Sequence, residues 1–127
     1  MITVHDLSPA AVAKIVRVNL ADVREHPPSA IPDFDFNGCT CGVASFVGSP
    51  PWELHTEGDE LLHVLSGETR LTVRQAGAET SRVLRSGELA IVPRACWHRN
   101  EANGGVTLLF MTPREGNRHS WRNPGSA

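Results

Sequence analysis

The sequence has no long hydrophobic run, almost no lysine, no paired set of cysteines and no excess of charge. No apolar stretch approaches the ~20 residues of a membrane-spanning helix. No basic-apolar-small leader precedes the body of the chain, since Asp6 interrupts it. Lys14 is the single lysine, and the remaining basic residues are arginines. Arg70, Arg74, Arg82 and Arg85 are scattered over strand-like segments, as on a solvated sheet face. With a net charge of −2, this argues against a nucleic-acid or membrane-surface partner. Three cysteines, an odd number, fit a reducing cytoplasm better than a disulfide framework. Cys39-Thr40-Cys41 lacks the spacing of a zinc knuckle and has no second pair.

What is present is a series of short apolar segments cut by Gly, Pro and Asn. At 127 residues the chain is expected to form one domain over 1–127. An N-terminal arm covers 1–40, a barrel core about 41–112 and a polar tail 113–127. Ser8 as N-cap and Pro9 at the first helical position predict a short helix through Ala13. Lys14 to Leu20 alternates like a strand, and Pro27, Pro28 and Pro32 make 25–36 irregular. Strands are expected near 41–47, 51–56, 59–65, 68–75, 79–85, 88–93, 96–101 and 105–112. Gln75-Ala76-Gly77-Ala78 and Asn103-Gly104-Gly105 read as hairpin tips. Many short strands at even spacing imply an all-β antiparallel sandwich or barrel.

Two stretches carry chemistry. The first runs from Glu53-Leu54-His55 through Glu60 to Gly67, and the second from Gly87 through Pro93 to His98. Strand alternation puts Glu53 and His55 on one face. It also separates Glu60, Leu62 and Val64 from Leu61, His63 and Leu65. If Glu60 points inward, His63 points out. Leu71 with Val73, Leu89 with Ile91, and Val106, Leu108 and Phe110 form rows expected to fill the barrel. Two carboxylates and an imidazole on one face against an apolar wall would be costly to bury without a counter-charge. A divalent cation removes that cost, and mixed N/O donors suit Fe, Mn, Ni or Zn. Without a cation, one of the two close carboxyls is expected to show a raised pKa.

These stretches resemble the two cupin motifs. The first is similar to G-x5-H-x-H-x3,4-E-x6-G at His55, Glu60 and Gly67, and the second to G-x5-P-x-G-x2-H-x3-N at Gly87, Pro93 and His98. Glu53 stands where the family has its first His, Ala95 where it has a glycine and Ala102 where it has an asparagine. Gly48 lies one residue closer to the first motif than the family's glycine. The resemblance implies a cupin double-stranded β-helix, or jelly-roll barrel, with a short irregular or helical N-terminal segment. It implies a metal held by Glu53, His55, Glu60 and His98. The triad of His55, Glu60 and His98 without Glu53 is similar to the ligand set of 3-hydroxyanthranilate dioxygenases, with a spacing that differs by one. Glu53 is then a candidate catalytic base beside the metal. The implied functions are a metal-dependent enzyme of dioxygenase, isomerase or lyase type acting on a small organic molecule, or a non-catalytic small-ligand sensor or storage barrel. A homodimer is expected, with Leu61, His63 and Leu65 as an outward stripe. Trp52 and Trp97 flank the motifs, as substrate-stacking or rim residues. Cys96 reads as core. His119 and Trp121 are expected to dock the tail on the barrel or on a partner.

Overall fold

The computed structural model describes residues 1–21 and 30–125. One helix, α1 (Pro9–Ala13), precedes nine strands: β1 (Val18–Asn19), β2 (Phe34–Phe36), β3 (Cys39–Gly48), β4 (Trp52–His55), β5 (Glu60–Gln75), β6 (Ala78–Arg85), β7 (Leu89–Val92), β8 (His98–Pro113) and β9 (Asn117–Ser120). The architecture is the all-β jelly-roll barrel expected. Ser8 caps α1 by accepting from the Ala11 amide, and Pro9 occupies its first turn. The strand expected over Lys14–Leu20 contracts to Val18–Asn19, which pairs parallel with β3 at Phe46 and Val47. Of the segment 25–36, residues 25–29 lie outside the described residues, and Phe34–Phe36 pair antiparallel with β3.

Two long strands organise the barrel. β5 and β8 are each 16 residues long, where two short strands were expected in each place. Straight strands of that length would extend ~50 Å, far beyond a small barrel, so both bend. The start of β5 pairs with β7 and with the end of β8, and its second half pairs with β6 and with the start of β8. The bend falls where the β5–β8 register shifts, between Val64 and Ser66 and between Gly67 and Arg70. Gly67 (φ 75°) and Gly105 (φ 94°) meet there. A Cβ on Gly67 would come within 2.3 Å of the Gly105 carbonyl oxygen. Asn103-Gly104-Gly105 is therefore a bend within β8 and not a hairpin tip, because the ladder with β5 continues on either side. Gln75–Ala78 is the tip expected: Ala76 and Gly77 both have positive φ, as a two-residue type I′ turn requires.

The core follows from alternation. Ala44, Phe46, Leu62, Val64, Val106 and Leu108 pack inside with Leu71, Leu84 and Val92. Leu61, His63 and Leu65 are half-buried on the opposite face, as parity requires. Leu89 and Ile91 are a correction: they are 55% and 53% exposed, while Val92 is buried. Glu60 pairs with Val92 and Leu62 with Ala90. Directly paired residues share a face, so an inward Glu60 carries Val92 and Ala90 inward and turns Leu89 and Ile91 out.

Candidate metal centre

Three strands, β4, β5 and β8, bring four side chains to one point inside the barrel. Glu53 and His55 project from the same face of β4, and Glu53 lies opposite His98 in the β4–β8 ladder. Glu60 opens β5 after the turn that follows His55. Each of the four residues places one donor atom within 4.8 Å of all the others. His55 Nε2 lies 3.4 Å from a Glu53 oxygen and 3.3 Å from a Glu60 oxygen. His98 Nε2 lies 3.1 Å from Glu60 and 3.9 Å from Glu53. Two donors each ~2.1 Å from a shared ion would be about 3.0–3.4 Å apart. The observed separations are close to that. His63 stays outside the cluster, on the other face of β5.

The imidazoles are held in the tautomer a cation needs. His98 Nδ1 donates to the Cys96 carbonyl at 3.1 Å, and His55 Nδ1 pairs with Asn117 Oδ1 at 2.8 Å. Asn117 Nδ2 donates to the Pro113 carbonyl, which turns its oxygen toward the ring. Both Nδ1 atoms therefore carry the proton, and both Nε2 atoms face the cluster. His55 Nε2 is buried and makes no hydrogen bond of good geometry, as expected for an atom shaped to meet a cation. Thr112 Oγ1 donates to the second Glu60 oxygen, fixing the carboxylate plane.

Electrostatics follow from burial. Burial pushes His55 down, but the Glu53 and Glu60 carboxylates beside it more than reverse this, and its pKa rises from 6.5 to about 10. Burial pushes Glu60 up, yet His55 and His98 against it hold it down from 4.5 to about 2. The raised carboxyl expected from the sequence is not found at Glu60, because two imidazoles stand 3.1 and 3.3 Å from it. A protonated ring beside two carboxylates is the arrangement a divalent cation would replace. The donor set therefore fits a metal ion.

Asn117 is the residue sequence reading missed. It belongs to β9, within what read as a polar tail, and β9 pairs with β4 residue for residue from Trp52–Ser120 to His55–Asn117. The tail thus docks on the barrel as expected, with His119 opposite Glu53 in the ladder, and through Asn117 it also reaches the ring of His55. Asn117→Ala should leave His55 Nδ1 without its partner and weaken metal affinity by about 10–100-fold. Titration against a competing chelator measures this.

Ala95 is the second unanticipated feature. It replaces the motif glycine yet keeps the left-handed backbone, φ 60°, and its amide donates to the His55 carbonyl at 2.8 Å. A Cβ in that region costs ~1–2 kcal/mol, part of which glycine returns as entropy of the unfolded chain. Ala95→Gly should therefore stabilise the fold by about 0.5–1 kcal/mol, read as a higher denaturation midpoint with unchanged metal content.

Beside the cluster a cavity of ≈250 Å³ opens, lined by Glu53, His55 and Glu60. Its walls include Ala44, Phe46, Leu62, Leu108 and Phe110, with Asn100 and His119 among its polar groups. Trp52 and Trp97 are not among the lining residues. Trp52 is buried and Trp97 half-buried. Cys96 is buried, as expected, and Cys39 and Cys41 are free thiols. Among the described residues no helix is long and apolar enough to cross a membrane.

The chain is thus a bent β-barrel with clustered imidazoles and carboxylates at the head of a largely apolar cavity. The Cupin domain family matches residues 47–113. The chain belongs to the cupin family. It is similar to a solved protein of Neisseria meningitidis, with 22% identity, TM-score 0.58, 74% of this chain and 91% of that one covered. It is also similar to a cupin-2 domain protein of Shewanella frigidimarina, with 20% identity, TM-score 0.57 and coverage of 75% and 88%. An oxalate oxidase matches with 22% identity and TM-score 0.58 over 65% of this chain. The match spans 46% of the oxidase chain. At these identities the likeness concerns the fold. A search of curated proteins finds no match.

Proposed function

We propose that this cupin holds one divalent metal through His55, Glu60 and His98, with Glu53 as fourth ligand or as a base beside it, and acts on a small organic molecule in the adjoining cavity. The observation that carries this reading is the pair of Nε2 atoms, both turned inward by Nδ1 hydrogen bonds, facing two carboxylates. Iron, manganese, nickel and zinc suit the donor set. When bound, such an ion would supply Lewis-acid polarisation or oxygen activation.

The chain's own residues would do the rest. The apolar walls exclude water from the ligand body. Glu53 is the most solvent-accessible of the four, with 21% of its side chain exposed, and lines the cavity. In this reading it takes a proton from a ligand hydroxyl. Thr112 and Asn117 hold Glu60 and His55 in place. Oxalate oxidase, similar in fold, has been solved in complex with the substrate analogue glycolate, which makes oxygen-donor ligands a reasonable first set to screen.

Metal analysis of freshly purified protein, followed by oxygen-uptake screening with catechols and aminophenols, tests the proposal. Substrate-dependent oxygen consumption supports the dioxygenase-like enzyme. Tight ligand binding without turnover supports a sensor or storage barrel instead. Glu53→Ala separates its two roles: full metal with lost turnover assigns the base, and lost metal assigns the ligand. We further propose that residues 1–127 act as one domain in the cytoplasm and pair as a homodimer across the half-buried Leu61, His63 and Leu65. Light scattering at micromolar protein tests the pairing, and a monomer mass contradicts it.

A further inference from the structure

The charge of the centre and the walls of the cavity together restrict what can enter. Two carboxylates, Glu53 and Glu60, cancel the charge of a divalent ion, whereas a histidine at position 53 would leave the centre with one net positive charge. Among the described residues lining the cavity none is Arg or Lys. A dianion placed there would bring two negative charges onto a centre already neutral, beside Ala44, Phe46, Leu62, Leu108 and Phe110, with His119 as the one basic side chain of the described lining outside the cluster to meet them, at the cost charge incurs in apolar surroundings. The cavity volume of ≈250 Å³ equals about eight water volumes, enough for a ligand of on the order of ten non-hydrogen atoms. Asn100 and His119 offer polar contacts at its wall.

We infer that this site selects a small, mostly apolar molecule that presents a neutral or singly ionised pair of oxygen donors, such as a hydroxyketone or enol-ketone, and discriminates against dicarboxylates. The inference rests on the metal reading above. It makes Glu53 a specificity-determining residue through its charge, whether or not it touches the ion.

The test uses the full chain loaded with cobalt(II), whose visible absorption reports ligand binding without turnover. Metal content is measured before and after titration. Maltol, a singly ionised oxygen chelator with an apolar ring, is titrated against oxalate. Wild type should bind maltol at least about tenfold more tightly than oxalate, and Glu53→Gln should narrow that ratio at least about tenfold by strengthening oxalate, since one charge within a few ångströms acts strongly in a poorly solvated site. If the metal is retained and oxalate binds wild type as tightly as maltol, this inference falls while the metal reading stands. A ratio that Glu53→Gln does not move also overturns it. If the protein takes up no cobalt, both fall together. The wild-type comparison stands by itself should Glu53→Gln fold poorly.

Discussion

His98→Ala should purify with less than about one tenth of the wild-type metal, since it removes one of only two nitrogen donors from a site whose affinity is tied to folding. His55→Ala should behave alike. His98 is 1% exposed and its Nε2 pairs with Glu60 at 3.1 Å. Its loss leaves a buried carboxylate with His55 and Thr112 as remaining partners. Breaking a buried pair from one side costs about 3–5 kcal/mol, and the remaining partners place this variant at the low end. Elemental analysis reads the metal, and a denaturant melt reads the stability. His63→Ala, on the outer face of the same β5 strand as Glu60, is the control and should keep its metal. Metal equal to wild type in His98→Ala would refute the site.

The second large effect is a pH dependence that changes with metal. For the metal-free protein, His55 has a pKa raised from 6.5 to about 10. It contributes stability that is fully present below 6.5 and lost as pH rises through about 10. Glu60 is depressed from 4.5 to about 2, so its contribution is present above 4.5 and lost as pH falls through about 2. The two windows overlap between 4.5 and 6.5, and the metal-free protein should melt highest there. A cation reverses the upper limb, because His55 must release its proton to bind. Metal affinity therefore rises with pH. The gap in melting temperature between loaded and metal-free protein should widen from pH 5 toward pH 8. A constant or shrinking gap would contradict the coupling between His55 and the ion.

How much of this was legible in the sequence depends on how far apart the partners lie. The two motif stretches carried Glu53, His55, Glu60 and His98 because strand parity and spacing are local. The outward face of His63 followed from the same parity. Parity alone does not say which face is inward when a strand is apolar throughout. Leu89-Ala90-Ile91-Val92 was therefore read backwards, and only its ladder to Glu60 and Leu62 decides the matter. Asn103-Gly104-Gly105 has the composition of a turn, but a 16-residue strand needs glycine where it bends against Gly67. Asn117 lies 62 residues from His55 in sequence, in a segment with no apolar alternation. Its role exists only once β9 lies beside β4. Ala95 shows the converse: the family pattern asks for glycine there, and the backbone keeps the glycine conformation although the residue has changed.

Glu53, His55, Glu60 and His98 are proposed to surround one ion. X-ray absorption at the edge of whatever metal copurifies, taken with elemental analysis on the same sample, tests it most directly. About one metal per chain is expected, in a shell of nitrogen and oxygen donors alone at ~2.0–2.2 Å, with two imidazoles. Protein that folds fully yet carries no metal and takes none up, or a shell containing sulfur from Cys96, would contradict it.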